Sequence, residues 1–204
     1  VLAAGKGTRM KSARPKVLHS LAGKALLGHA LDAVAALEPT SLCVVIRHER
    51  QAVAQYVNDN YPQAVLADQD EIPGTGRAVQ CALDKLAQQG ELTGTVVITS
   101  GDVPLLESST LEKLLESHQA SGNQVTVLTT QVPDPSGYGR VIRSDSGAVT
   151  AIVEDRDCQA DQRGIREINA GIYAFDAQFL NHALSGLGTD NDQGEVYLTD
   201  TIAL

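Results

Sequence analysis

Lys6, Arg9, Lys11, Arg14 and Lys16 place five cations in the first 16 residues, with no acidic residue among them. They surround Gly5 and Gly7 of VLAAGKGTRM, which follow directly on an apolar start. Glycines at the end of a strand let backbone amides turn towards an anion, and neighbouring Lys or Arg supplies charge, as a triphosphate requires. Neither standard phosphate loop fits: Gly5 has no Gly-Lys five positions on, and the third glycine of a dinucleotide fingerprint would fall at Met10. An anionic ligand explains the local cation cluster; a solvated basic edge is the alternative.

Two more loops stand where strands should end. QDEIPGTGRA contributes glycines at Gly74 and Gly76, and SGDVPLL puts Asp102 just after the apolar run TVVIT. A carboxylate there can hold a divalent cation that bridges phosphates. Each loop alone is also compatible with an ordinary turn. Arg9 and Lys16, seven residues apart and flanking the first loop, could stabilise charge on a phosphorus undergoing substitution. The bland alternatives are a surface arginine and a Pro15-Lys16 pair that only starts a helix. His19, His29, His48, His118 and His182 show neither metal spacing nor a nucleophile partner, and His118 falls by an apolar helix stripe where packing is expected. That pattern suits phosphoryl-type transfer, in which positioning and electrostatics carry most of the catalysis.

These loops need a scaffold. The 204 residues suit a single domain, and 43% hydrophobic content with only 3% aromatics calls for a core of Val, Leu, Ile and Ala. Apolar runs at LCVVI (42–46), QAVLA (63–67) and TVVIT (95–99) read as buried strands. Helical periodicity lies between them, in ALLGHALDAVAAL, RQAVAQYV and the stretch after GTG. Ser109 and Glu112 have the spacing of a capping box before Leu111, Leu114 and Leu115. The alternation predicts an α/β, Rossmann-like doubly wound and mainly parallel sheet, with ligands outside the carboxyl ends of its strands. From Gln124 the rhythm changes: QVTVLTTQV, RVIR, AVTAIVE and IREINAGIYAF predict antiparallel pairing and a small β insertion over the substrate, then a helix in FDAQFLNHAL.

A net charge of −9 disfavours nucleic acid or an anionic membrane as partner. Cys43, Cys81 and Cys158 lack CxxC spacing, so a reducing, cytoplasmic setting is expected, with Cys43 and Cys81 as packing residues. No apolar run approaches a membrane span and no signal peptide is visible. The chain begins in what reads as the end of a strand and stops inside YLTDTIAL, so trimming at both ends is expected.

LAAGKGTRM followed by PKVLH resembles the signature loop of the sugar-1-phosphate nucleotidyltransferases. With GTGRAVQ, GDVPLL, GYGRVIR, IVE, EINAGIYAF and QGEVYLTDTIAL in order, residues 1–204 resemble the amino-terminal domain of the bacterial bifunctional N-acetylglucosamine-1-phosphate uridylyltransferases. The resemblance implies a pyrophosphorylase that makes UDP-N-acetylglucosamine and pyrophosphate from UTP and N-acetylglucosamine-1-phosphate, with Mg²⁺, for cell-wall precursor synthesis. It implies that the backbone of Leu2, Ala3, Ala4 and Gly5 meets the uridine side and that Gln69, Gly74 and Thr75 read uracil. Arg9 and Lys16 would contact the phosphates and stabilise developing charge, and Asp102 would bind the metal. Gly139, Glu154, Asn169 and Thr199 would hold the sugar phosphate.

Two positions depart from the family pattern: Arg77, where histidine is more usual, and Ser100, where tyrosine is common. A second metal ligand and a β-helix acetyltransferase half, through which the long protein would trimerise, are expected beyond Leu204. Other readings are a thymidylyl- or guanylyltransferase, against which EINAGIYAF and EVYLTD speak, and a non-catalytic nucleotide-binding module. A dinucleotide oxidoreductase is disfavoured by the missing third glycine.

Overall fold

The computed structural model describes residues 1–7 and 10–204; Thr8 and Arg9 lie outside the described residues. In chain order the strands are β1 (Ser20–Leu21), β2 (Lys24–Ala25), β3 (Cys43–Ile46), β4 (Val65–Asp68), β5 (Thr95–Ile98), β6 (Val125–Gln131), β7 (Arg140–Arg143), β8 (Val149–Val153) and β9 (Glu167–Asp176). The helices are α1 (Leu26–Ala35), α2 (Arg50–Asn60), α3 (Thr75–Ala87), α4 (Ser108–Ser121) and α5 (Ala177–Ser185).

The amino-terminal residues complete the sheet. Leu2 bridges β3 at Val45 and the end of β5 at Ser100, both in parallel. Its amide donates to Thr99 O at 2.8 Å, and Ala3 N donates to Val45 O at 2.8 Å. On the far side of β3, β4 pairs in parallel, with Cys43 opposite Val65. Beyond β5 the direction reverses: β9 runs antiparallel to β5, with Ile98 opposite Tyr173, and β6 is antiparallel along the other edge of β9. The first half of β9 receives the β7–β8 hairpin through Arg140 opposite Ile168. The outcome is the expected mixed, mainly parallel α/β sheet.

Alternation along β3 shows how helices come to cover both faces. All four of its residues are buried, as a strand between two helical layers must be. Val44 and Ile46 join a core with Leu27 and Leu31 of α1, Val53 and Val57 of α2 and Leu111 of α4, while Val45 packs with Ala78 of α3 on the opposite face. Phe175 and Tyr173 of β9 extend that second face towards Val79 and Leu83 of α3 and Leu180 of α5. Each fully buried Leu or Phe contributes about 1.5–3 kcal/mol, so the aliphatic composition is enough for two cores.

Two local expectations are corrected. The strand expected at 63–67 lies at Val65–Asp68, because the chain is still turning after α2, with Ala64 N bonded to Tyr61 O at 2.9 Å. The capping box does not form: α4 begins at Ser108 behind Glu107, which places Ser109 inside the first turn, where its hydroxyl donates to Glu107 Oε2 instead. His118 is a packing residue, as expected, buried with Nδ1 2.9 Å from Thr126 Oγ1. Cys43 and Cys158 are buried and all three cysteines are free. Among the described residues, no helix is long and apolar enough to cross a membrane.

Candidate active site

A cleft of about 670 Å³ opens at the carboxyl ends of the parallel strands. One side is made of the residue runs that follow strands: Ala4 to Gly7 after the amino-terminal segment, Arg47 and His48 after β3, Gln69 after β4, and Ser100 and Asp102 after β5. This is where a doubly wound sheet places its ligand. Leu2, Ala4 and Gly5 line it, whereas Ala3 is buried beneath and its amide is held by the sheet. Among the described residues, the amides of Ala4, Gly5 and Lys6 have no protein acceptor. Free backbone amides in a glycine loop are donors that an anion can use.

The same loop passes very close to Lys16. Gly7 has a φ of +63°, and a Cβ there would lie 2.6 Å from Lys16 Cβ, so two independent constraints require glycine. Lys16 stands at the start of a 3-10 turn, Lys16–Leu18, behind Pro15. Its Nζ forms an ion pair with the Asp102 carboxylate across the cleft. Among the described residues, Lys6, Lys16 and Arg47 line the same cavity as Asp102 and Glu195. Burial, and then the charges of Arg47 and Lys6, hold the His48 imidazole below its ordinary pKa, so it is neutral at pH 7.

The opposite wall is the amino end of α3. Gly74 precedes it with φ 118° and ψ 154°, a region essentially reserved for glycine, and a Cβ there would lie 2.2 Å from Val196 O. Backbone bonds from Val196 N to Pro73 O (3.0 Å) and from Gly76 N to Val196 O (2.8 Å) clamp the carboxy-terminal segment against this turn. Leu198 N donates to Thr75 Oγ1 at 3.1 Å. Gln69 donates from Nε2 to Ile72 O and Gly74 O, which orders the loop between β4 and α3. Gly74 and Thr75, at the amino end of this 13-residue helix, line the cleft, a place favourable for negative charge.

Gly139, Glu154, Asn169 and Thr199 come together beside the cleft rather than in its lining. Thr199 Oγ1 donates to Glu154 Oε1 at 3.0 Å, and Asn169 N donates to Gly139 O at 2.9 Å. A Cβ on Gly139 would sit 3.5 Å from both Glu154 carboxylate oxygens, and Asn169 Nδ2 donates to Tyr173 Oη at 2.5 Å. Burial, followed by the charges of Asp157, Asp200 and Glu195, raises the Glu154 pKa against the opposing effect of the Thr199 bond. Consecutive residues Leu198 and Thr199 join the two regions, one bonded to Thr75 and the other to Glu154.

Among the described residues, no cluster of three or more His, Cys, Asp or Glu side chains could cage a metal. Asp102 and Glu195 fit a cation that arrives on phosphates and needs only one or two protein carboxylates. Arg9, the expected partner of Lys16, lies outside the described residues. Arg47, His48 and Glu195 were missed from sequence; the first two directly follow the LCVVI strand, so the strand-end rule alone points to them.

Residues 1–167 match the MobA-like NTP transferase domain. The chain belongs to this family. Among the curated relatives of the transferase domain is the bifunctional protein GlmU of Paenarthrobacter aurescens (strain TC1), 54% identical over 204 residues, all of this chain and 41% of that protein. The GlmU of Bifidobacterium animalis subsp. lactis (strain AD011) is 52% identical over the whole chain and 44% of its own length. The chain thus spans about two fifths of the curated relatives it matches. In fold it is similar to a crystal structure of UDP-glucose pyrophosphorylase complexed with UDP-glucose, with a TM-score of 0.77 and 17% identity, over 99% of this chain and 83% of the other.

Proposed function

We propose that the chain transfers a uridylyl group from UTP to N-acetylglucosamine-1-phosphate, releasing pyrophosphate. The observation that carries this reading is the cleft itself: Lys16 and Asp102 face each other between an amide-rich glycine loop and the amino end of α3. Likeness to GlmU proteins along the whole chain supports the choice of substrates, as does the run of EINAGIYAF and EVYLTD.

In this reading the backbone of Leu2, Ala3, Ala4 and Gly5 meets the uridine side of the nucleotide, and Gln69, Gly74 and Thr75 read uracil. Gly139, Glu154, Asn169 and Thr199 hold the sugar phosphate. An oxygen of that phosphate forms a bond to the α-phosphorus of UTP; the bond to the bridging oxygen breaks, and pyrophosphate departs with the electron pair. The attacking oxygen is already anionic, so no general base is needed. Arg9 and Lys16 stabilise the charge that gathers on the equatorial oxygens. Lys16 does so by leaving Asp102 for the phosphates. Mg²⁺ held at Asp102 supplies charge neutralisation on the phosphate oxygens when bound. A cytoplasmic setting and a product used for cell-wall precursors belong to the same reading; acetyl transfer is not assigned to these residues.

The test is pyrophosphate release across UTP, dTTP, GTP and CTP with several sugar-1-phosphates, run on this chain beside a version extended past Leu204. UTP with N-acetylglucosamine-1-phosphate should turn over fastest. Preference for dTTP or GTP refutes the assignment.

A further inference from the structure

The loop from Gln69 to Gly74 forms one wall of the cleft, yet no apolar side chain anchors it: Ile72 is 43% exposed and Pro73 is exposed. Its position rests on polar ties. Gln69 bonds to two carbonyls within the loop, Arg47 Nη2 donates to Glu71 O at 3.0 Å, and Ile72 N donates to Asp70 Oδ1 at 3.1 Å. Backbone bonds hold the two ends of the loop, from Gln69 N to Ile46 O of β3 at 2.9 Å and from Val196 N to Pro73 O at 3.0 Å; between them, Asp70 is tied to α3 through the side chain of Arg77, the third residue of that helix. Its Nε donates to both Asp70 oxygens at 3.1 and 3.0 Å, its Nη2 pairs with Asp70 Oδ2, and its Nη1 is held by Gln80 Oε1 at 2.7 Å. Arg77 does not line the cleft.

A cation in the first turn of a helix opposes the helix dipole, so the position is unfavourable unless an anion meets it there. Asp70 is that anion, and its carboxyl is held below the usual range chiefly by the Arg77 bond. The guanidinium fork fixes the carboxylate in direction as well as distance, which a lysine ammonium cannot do.

We propose that the Arg77–Asp70 pair positions the Gln69–Gly74 wall, and so sets affinity for the nucleoside triphosphate without touching it. Arg77 is a positioning residue, and the inference rests on the reading of this cleft as the UTP site. Loss of the tie leaves a loop that must be ordered on binding, which appears in affinity rather than in the fold.

The test is calorimetric titration of UTP with Mg²⁺ into the chain and its R77Q, R77K, D70N and R77Q/D70N variants, with amide exchange at Ile72 and melting temperature alongside. R77Q and D70N should each weaken UTP about fivefold, the double variant no more than either single one, and R77K should regain part. Ile72 exchange should quicken while the melting temperature holds. Equal UTP affinity in all variants, or losses that multiply in the double variant, overturns the proposal. Failure of the unsubstituted chain to bind UTP at all is a distinct result, and it removes the functional reading together with the inference.

Discussion

Replacement of Gly74 by alanine should do far more damage than its place in a loop suggests. The residue sits at φ 118° and ψ 154°, where an L side chain costs about 1–3 kcal/mol in strain. Its new methyl would also occupy the space of Val196 O, 2.2 Å away, and Val196 cannot withdraw while bonded to Pro73 and Gly76. Loss of those two backbone bonds adds about 1–3 kcal/mol, for a sum of about 2–6 kcal/mol. For a chain of this size each kcal/mol lowers the melting temperature by about 2–4 °C, so a mid-range loss of about 4 kcal/mol gives about 8–16 °C. Gly147→Ala is the control: its φ is 85° but nothing lies within 4 Å of the added methyl, so only strain of about 1–2 kcal/mol applies. Thermal melts of both variants, with limited proteolysis after residue 186, measure the effect. Gly74→Ala should melt well below Gly147→Ala and be cut sooner in the carboxy-terminal segment. Equal melting temperatures, or an unaltered cleavage pattern, would refute the clamp.

Asp102→Asn removes an ion pair whose members are 42% and 24% exposed at the side chain, so stability should change by no more than about 1 kcal/mol. Mg²⁺-dependent turnover should fall about a hundredfold; an unfolded variant by circular dichroism would make Asp102 structural instead. Glu154→Gln should stabilise the protein at pH 7, because the folded carboxyl has a pKa above its ordinary 4.5. The folded state then binds more protons than the unfolded one, so native stability falls as pH rises from 4.5 through the folded pKa. The advantage of Glu154→Gln should therefore vanish near pH 4, and parallel melting curves from pH 4 to 7 would contradict the buried-charge account.

Sequence patterns revealed what depends on local composition. LCVVI could only be a strand covered on both faces, and it is buried throughout. Position was harder: IREINAGIYAF reads as a strand with antiparallel partners, and it is one, yet periodicity does not say that β9 inserts between β5 and β6, because that choice is made by pairing partners distant in the chain. Gly5, Lys16, Gln69, Gly74, Thr75 and Asp102 all line the cleft; the loops at Gly5, Gly74 and Asp102 are marked by the apolar runs before them and Lys16 by its place beside the first loop, whereas Gln69 and Thr75 come from the family resemblance. Ala3 is buried with its amide bonded into the sheet, as alternation along the amino-terminal segment turns its side chain inward. The Lys16–Asp102 pair and the commitment of Arg77 to Asp70 join residues that only the fold brings together.

The position of β9 also bears on how the chain is made. The parallel strands and their crossover helices can assemble in order as residues 1–100 emerge, but β5 and β6 must both wait for residues 167–176 to fill the gap between them. Until then each shows an unpaired edge, and pairing across some 75 residues is slow relative to local helix formation. The sheet's innermost antiparallel strand is thus among the last pieces delivered. Nascent chains stalled before residue 176 should be the ones that aggregate or recruit chaperones.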